Sequence, residues 1–450
     1  KVINVNLKSN ESAKEFVLQT VKEQGVKFIR LWFTDILGNL KGFAISSAQL
    51  EEALDRGIGF DGSAIEGFAR TDESDMVAFP DPTTFAILPW RPQESGVARI
   101  FADVRTPEKE LFDGDPRQVL KKNLAKAADL GYTFYVGPEL EYFYLNSVDD
   151  PTPLDTGGYF DQMPMDFASD LRRQTILTLE DIGIETEYSH HEVAPGQDEI
   201  VLRYADALTM ADNCMTYRLV VKEVAKQHNI HATFMPKPIG NVNGSGMHTH
   251  QSLFIGDKNC FYDDKMPDNL SELAMNYIAG ILHYAPEFTS ITNQWVNSYK
   301  RLVPGYEAPV HVTWAKKNRA DLIRVPQITR SNPESARIEY RAPDPACNPY
   351  LAFSVMLAAG LEGIKNKMEP PEPMTQNVMN MPDDEKAKAG IMVLPGSLHE
   401  ALKLTEGSTF VREALGDHVF ESFIENKRIE WENYRSHVTD YEIQKYLPVL

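Results

Sequence analysis

At 450 residues, 42% of them hydrophobic, the chain can bury a large core and fill two or three domains. Asp and Glu number 65 against 45 Lys and Arg, and the formal net charge of −20 speaks against partners such as nucleic acid or an anionic membrane surface. Cys214, Cys260 and Cys347 are far apart and form no C-x-x-C pair, so neither a disulfide framework nor a zinc cluster is expected.

The first residues lack the continuous apolar run of a secretory signal. The most apolar segment, 350–361, falls well short of the ~20 residues that a membrane helix needs. The expected setting is a reducing, cytoplasmic one. Periodicity predicts a helix near 12–24 and strands at 26–33 and 98–104. A polar, turn-rich run at 106–116 marks a domain boundary, dividing the chain into 1–108 and 109–450. Asp115 reads as an N-cap, Pro116 as the first helical residue and Gly131 as the stop.

Residues 132–145 (YTFYVGPELEYFYL) read as a strand by their aromatic and β-branched content. Side chains two apart on a strand share a face, so Glu139 and Glu141 point the same way from an otherwise apolar element. An edge strand with a solvated acidic face is the plain explanation for one such pair. Two further stretches repeat the pattern. In 190–202 (HHEVAPGQDEIVL) a Pro-Gly turn brings Glu192 and Glu199 near each other across a hairpin-like loop. In 337–341 (RIEYR) alternation puts Arg337, Glu339 and Arg341 on one face. A shared polar cavity explains three charged strands better than core packing does.

The segment 237–252 (KPIGNVNGSGMHTHQS) is glycine-rich and then alternates His248, His250 and Ser252 onto one strand face. No G-x-x-x-x-G-K-[ST] loop and no H-R-D kinase loop occurs. Five glutamates (139, 141, 192, 199, 339) and His248 form a mostly hard-oxygen ligand set, which favours at least two Mg²⁺ or Mn²⁺ ions over zinc. Arg301, Arg319, Arg324, Arg337 and Arg341 fall in the same half of the chain. Metal ions with several arginines suit phosphoryl transfer, because charge on the moving group needs stabilising throughout. Residues 370–374 and 383–388 read as surface excursions, and 413–446 as a mostly helical docking tail.

These stretches, together with Phe60-Asp61-Gly62-Ser63, Arg301 to Glu307 (RLVPGYE), Asn318-Arg319 and Arg324, resemble the type I glutamine synthetases over nearly the whole chain. The resemblance implies an α+β fold: a small N-terminal β-grasp domain, then a larger catalytic domain with a curved antiparallel sheet lined by charged residues. It implies a homo-dodecamer of two stacked hexameric rings, with active sites shared between neighbours and nitrogen-regulatory protein partners. One metal would be held by Glu141, Glu192 and Glu199, the other by Glu139, His248 and Glu339. Asn243, Gly244, Arg301, Glu307 and Arg341 would bind L-glutamate. Glu187, Tyr204, His250, Ser252, Arg319, Arg324 and Arg337 would bind ATP. Asp61, Tyr159 and Glu192 would enclose ammonium, with Asp61, Glu307 and Arg319 catalytic.

The implied reaction joins ammonia to glutamate through γ-glutamyl phosphate. The family commonly has a second serine after Asp-Gly-Ser, where this chain has Ala64. The alternative is therefore a γ-glutamyl ligase for another amine, such as a polyamine or ethanolamine. The stretch 385–395 (EKAKAGIMVLP) lacks the tyrosine that some members adenylylate, which places the chain with the α-type enzymes. Arg70 matches a position linked there to glutamine feedback.

Overall fold

The computed structural model describes residues 10–69, 74–92 and 94–450. The N-terminal part holds α1 (Asn10–Glu23), β1 (Val26–Thr34), β2 (Leu40–Ser46), α2 (Leu50–Arg56), β3 (Ile58–Asp61), β4 (Asp75–Pro80), β5 (Ala86–Ile87) and β6 (Gly96–Arg105). The strands form one sheet in the order β2-β1-β6-β4-β3, with β5 beside β6. β1 and β6 run parallel, Leu31 beside Ile100, while the flanking pairs are antiparallel. Val17, Val21, Ile29, Leu31, Leu50 and Ile100 make its small core.

The turn-rich run leads into α3 (Pro116–Asp129), and the Asp115 side chain caps it by accepting the Arg117 N–H at 3.0 Å. Gly131 follows with φ +87, the left-handed stop that a glycine makes easily.

The larger sheet is built from β7 (Thr133–Leu145), β8 (Thr186–His191), β9 (Gln197–Leu202), β10 (Ala205–Asp206), β11 (His231–Thr233), β12 (Met247–Ile255), β13 (Lys258–Asn259), β14 (Trp314–Ala315), β15 (Ile323–Arg324) and β16 (Ile338–Tyr340). Its main path is β14-β15-β16-β12-β7-β9-β8, antiparallel except for the β14–β15 pair. The helices are α4 (Ser169–Asp181), α5 (Ala207–Gln227), α6 (Glu272–Thr292), α7 (Ser298–Arg301), α8 (Pro349–Lys365), α9 (Asp383–Lys388), α10 (Leu398–Glu406), α11 (Thr409–Leu415), α12 (Asp417–Arg435) and α13 (Asp440–Tyr446).

One face of this sheet packs on α5, α8 and the core around Tyr142, Tyr217 and Phe353. The apolar segment of the sequence is α8, buried along most of its length against α6. Their backbones touch at glycines: a Cβ on Gly363 would lie 2.1 Å from the Asn276 carbonyl oxygen. No helix among the described residues is long and apolar enough to cross a membrane. The run 370–374 follows the surface but is pinned, since Trp314 Nε1 donates to the Pro371 carbonyl and Met374 N to the Trp314 carbonyl. Residues 383–388 form the short helix α9, which buries none of its side chains. The three cysteines are free.

Candidate active site

The opposite face of the larger sheet collects the charged side chains, and strand register decides which of them meet. Glu139 sits beside His248 across β7–β12, and Glu141 beside Glu199 across β7–β9. His190 stands beside Glu199 across β8–β9, and Glu339 pairs with His250 on one side and Arg324 on the other. Two groups result. In the first, His248 Nδ1 lies 3.5 Å from Glu139 and 3.7 Å from Glu339. In the second, His190 Nε2 lies 2.9 Å from Glu192 and 3.8 Å from Glu199. The ligand atoms within each group lie within 4.8 Å of one another, a spacing that one cation can bridge.

Buried carboxylates this close cannot all stay ionised without compensation. Burial, then the charge of Glu192, pushes Glu141 up to about 8. Burial and the charges of Glu139, Glu141 and Glu192 push Glu199 well above the carboxylate range. Glu139 moves the other way: burial opposes its charge, but His250 and His248 outweigh that and hold it well below its ordinary value. Glu339 is likewise lowered to about 2 by Arg341 and the two histidines, against its burial. The protein thus supplies cations for one part of the cluster and leaves Glu141 and Glu199 to be balanced by protons or by a bound cation. That oxygen-rich donor set fits divalent metal ions.

Three spaces adjoin. A cavity of about 560 Å³ holds both groups together with Tyr159, Arg319, Arg324, Arg337 and Arg341. A cleft of about 440 Å³ shares Glu139, His250 and Arg337 with it and adds Glu187, Tyr204 and Ser252. A recess of about 40 Å³ is lined by Asn243, Gly244, Arg301, Glu307 and Arg341 beside Glu141 and Glu192. The residues expected for ATP thus line the cleft and the central cavity, and those expected for glutamate share the recess. A larger space of about 770 Å³ lies elsewhere, between Gly38 and the α5 and α12 side chains, and contains none of these residues.

Hydrogen bonds fix several side chains in advance. His250 Nε2 meets Glu139 at 2.8 Å while its Nδ1 accepts from Arg337 Nε at 3.1 Å. Arg324 and Arg341 both bond Glu339. Asn243 donates to Glu307 at 3.1 Å, and Glu307 itself has φ +57 in its Pro-Gly segment. Arg301 is buried and donates to the carbonyls of Ala342 and Arg341.

Asp61 is not brought into this cavity. It ends β3 in the N-terminal part and accepts from the N–H groups of Ser63 and Ser74. Arg70 lies outside the described residues. His190 was not singled out from the sequence, although alternation with Glu192 on the same stretch signals a shared face. Asp155 and His191 were also missed: their Nε2–Oδ1 contact of 2.8 Å joins residues 36 apart in the chain, which no spacing foretells.

Two family models match, described as the β-grasp domain of glutamine synthetase over residues 25–107 and its catalytic domain over 113–446. The glutamine synthetase of Mycolicibacterium smegmatis is 53% identical over 440 residues, covering 96% of this chain and 99% of that one. That of Methanosarcina mazei is 52% identical over 443 residues, covering 98% of each. A solved structure titled as a GmaS/ADP complex superposes with a TM-score of 0.87 at 32% identity, covering 96% of this chain and 99% of that one.

Proposed function

The chain belongs to the glutamine synthetase family, and from that premise we infer that it joins ammonia to the γ-carboxylate of L-glutamate at the expense of ATP. The observation that carries this reading is the contiguity of the three spaces: a nucleotide-sized cleft and an arginine-lined recess open on one carboxylate-rich cavity. Ligation of a larger amine is not favoured, since relatives sharing about half of this sequence are glutamine synthetases.

Glu139, His248 and Glu339 would hold one divalent ion, and Glu141, which stands beside Glu199, would join Glu192 and Glu199 in holding the other next to His190, as Mg²⁺ or Mn²⁺. When bound, such ions neutralise phosphate charge and polarise phosphoryl oxygens. Arg301 and Arg341 hold the glutamate carboxylates, because a planar guanidinium can bind two oxygens at once. Asn243, Gly244 and Glu307 complete that recess. Glu187, Tyr204, His250 and Ser252 line the nucleotide cleft. A γ-carboxylate oxygen attacks the terminal phosphorus and ADP departs, leaving γ-glutamyl phosphate. Arg319, Arg324 and Arg337 stabilise the moving negative charge. Ammonia then attacks the acyl carbon and phosphate leaves.

Ammonium must first lose a proton. Glu192 and Tyr159 form part of its enclosure, and Asp61 from a neighbouring subunit supplies the remaining carboxylate and takes the proton. Glu307, on its Pro-Gly segment, shields the acyl phosphate from water. This sharing requires an oligomer, for which the stacked double hexamer is the expected form, in the cytoplasm. Arg70 is the proposed glutamine-feedback position, and nitrogen-regulatory proteins are proposed as partners.

The test is phosphate release from ATP and glutamate with ammonium, putrescine or ethanolamine in parallel. Ammonium should give the highest kcat/KM. A higher value for either larger amine would replace the nucleophile while keeping the ligase chemistry.

A further inference from the structure

Tyr159 reaches the cavity from a loop with little apolar support. Its neighbours Phe160, Met163 and Phe167 are exposed, so the loop gains little from burial and depends on polar ties for its position. Arg319 bonds Tyr159 itself and Arg172 holds Asp166 near the loop's end, but three further ties converge on one buried pair. Asp155 Oδ1 accepts from Gly157 N at 3.2 Å, at the start of the loop, and from Gly196 N at 2.9 Å, in the β8–β9 turn. Its Oδ2 accepts from Phe167 N at 3.0 Å, where the loop ends.

The partner is His191, fully buried at the end of β8. Its Nε2 meets Asp155 at 2.8 Å and its Nδ1 meets the Glu192 carbonyl oxygen at 2.6 Å. Its own carbonyl accepts from Phe160 N at 3.0 Å. Both ring nitrogens are therefore used, one toward the loop and one toward the strand end that carries Glu192. Gly157 packs flat against the ring: a Cβ there would lie 2.8 Å from His191 Nε2. On the other side Phe160 stacks on His190 at 4.5 Å with the planes 5° apart.

We propose that the Asp155–His191 pair is a positioning clasp that fixes Tyr159 relative to Glu192 and so sets the size of amine the site accepts. The proposal rests on the glutamine-synthesis reading above. Neither residue lines the cavity, so both act through others. Loosening the clasp frees the loop from the strand, widens the space between Tyr159 and Glu192, and weakens the fit to the smallest amine first. A misplacement of about 1 Å can cost a factor of ~100 in rate, and one methylene in a pocket is worth a factor of ~10–200 in discrimination.

The experiment uses the full-length enzyme and varies ammonium and methylamine separately against saturating ATP and glutamate. In Asp155→Asn the KM for ammonium should rise about tenfold, with the KM values for ATP and glutamate within about twofold of the parent. The kcat/KM ratio of methylamine to ammonium should rise several-fold. His191→Gln keeps an N–H that can reach Asp155 and should retain more discrimination than His191→Ala. Gly157→Ala, which pushes on the ring without removing a charge, gives the same selectivity change if Asp155→Asn does not fold. An unchanged amine ratio in a folded variant, with a uniform fall in kcat, overturns the clasp. A parent enzyme that makes no glutamine from ammonium overturns the reading beneath it and the clasp with it.

Discussion

Between the two sheets, Arg117 is buried among carboxylates: it meets Asp81 at 3.0 Å, Asp103 at 2.8 Å and Asp212 at 2.9 Å. Lys121 also reaches Asp103 at 2.6 Å, and the Tyr350 hydroxyl donates to Asp212. On the working face of the larger sheet, Glu139, Glu141, Glu192, Glu199 and Glu339 line one cavity, yet among these five Arg324 and Arg341 both bond Glu339. The first region closes its charges within the protein. The second leaves a deficit of positive charge that opens on a cavity. Acid clusters thus separate into a joint and a binding site by how far built-in cations balance them.

The largest effect is expected where the charges are already closed. Arg117→Met leaves Asp81, Asp103 and Asp212 without their shared partner, and should cost about 3–5 kcal/mol of stability, because breaking one side of a buried ion pair strands the other. Urea unfolding checks it, and an unchanged midpoint would place the joint elsewhere.

The acidic face should respond in the opposite sense. Glu199→Gln removes one of several repelling carboxylates, so the metal-free protein should melt higher than the parent while glutamine synthesis falls sharply. In the parent, divalent ion at ~100 times its Kd should add about 2.7 kcal/mol of stability, and the variant should gain less. Differential scanning calorimetry with and without Mg²⁺ or Mn²⁺ separates the two. Lower metal-free stability in Glu199→Gln would mean that the cluster is a joint like the first.

This difference also explains what could be read from the sequence. Glu139 with Glu141, and Arg337 with Glu339 and Arg341, are short-range patterns that strand alternation puts on one face, and a Pro-Gly turn brings Glu192 back to Glu199. The cap of α3 at Asp115 is equally local. Arg117 with Asp81 and Asp212 is not, since its partners lie 36 and 95 residues away and no period links them. His190 is legible from its alternation with Glu192, whereas the Asp155–His191 contact exists only once the loop is folded. The joining of the two sheets was legible only through likeness to a family.

A smaller effect tests how far the acidic region extends. Ala64 lies in the short turn 62–65 beside Asp61, packed among Phe33, Ile65 and Val104. A hydroxyl there adds one acceptor beside the carboxylate proposed to serve the neighbouring subunit. Ala64→Ser should lower the KM for ammonium modestly, by no more than the ~1 kcal/mol of a typical hydrogen bond. No change in KM would separate residue 64 from the amine pocket.

The smallest effect is expected at the exposed counterpart of the Arg117 joint. Glu66, in the N-terminal part, meets His418 of α12 at 2.9 Å and accepts from Ser422 at 2.7 Å. The bond to His418 lowers Glu66 below 4.5, and the same bond raises His418 above 6.5. A raised histidine contributes stability that is complete below 6.5 and is lost as pH climbs through the folded value. A lowered glutamate contributes stability present above 4.5 and lost as pH falls through its folded value. The pair therefore works fully between these limits and fades on either side. Because His418 is 41% exposed, water and salt screen it, and the contribution should stay under ~1 kcal/mol. Melting curves of the parent and His418→Asn from pH 4 to 9 should differ most inside that window, and less at high salt. Arg117 keeps its charge throughout this range, so the Arg117→Met deficit should show no matching rise and fall. A pH-independent difference at His418 would mean that packing against Phe112, 5.1 Å away, holds the two parts together there instead of charge.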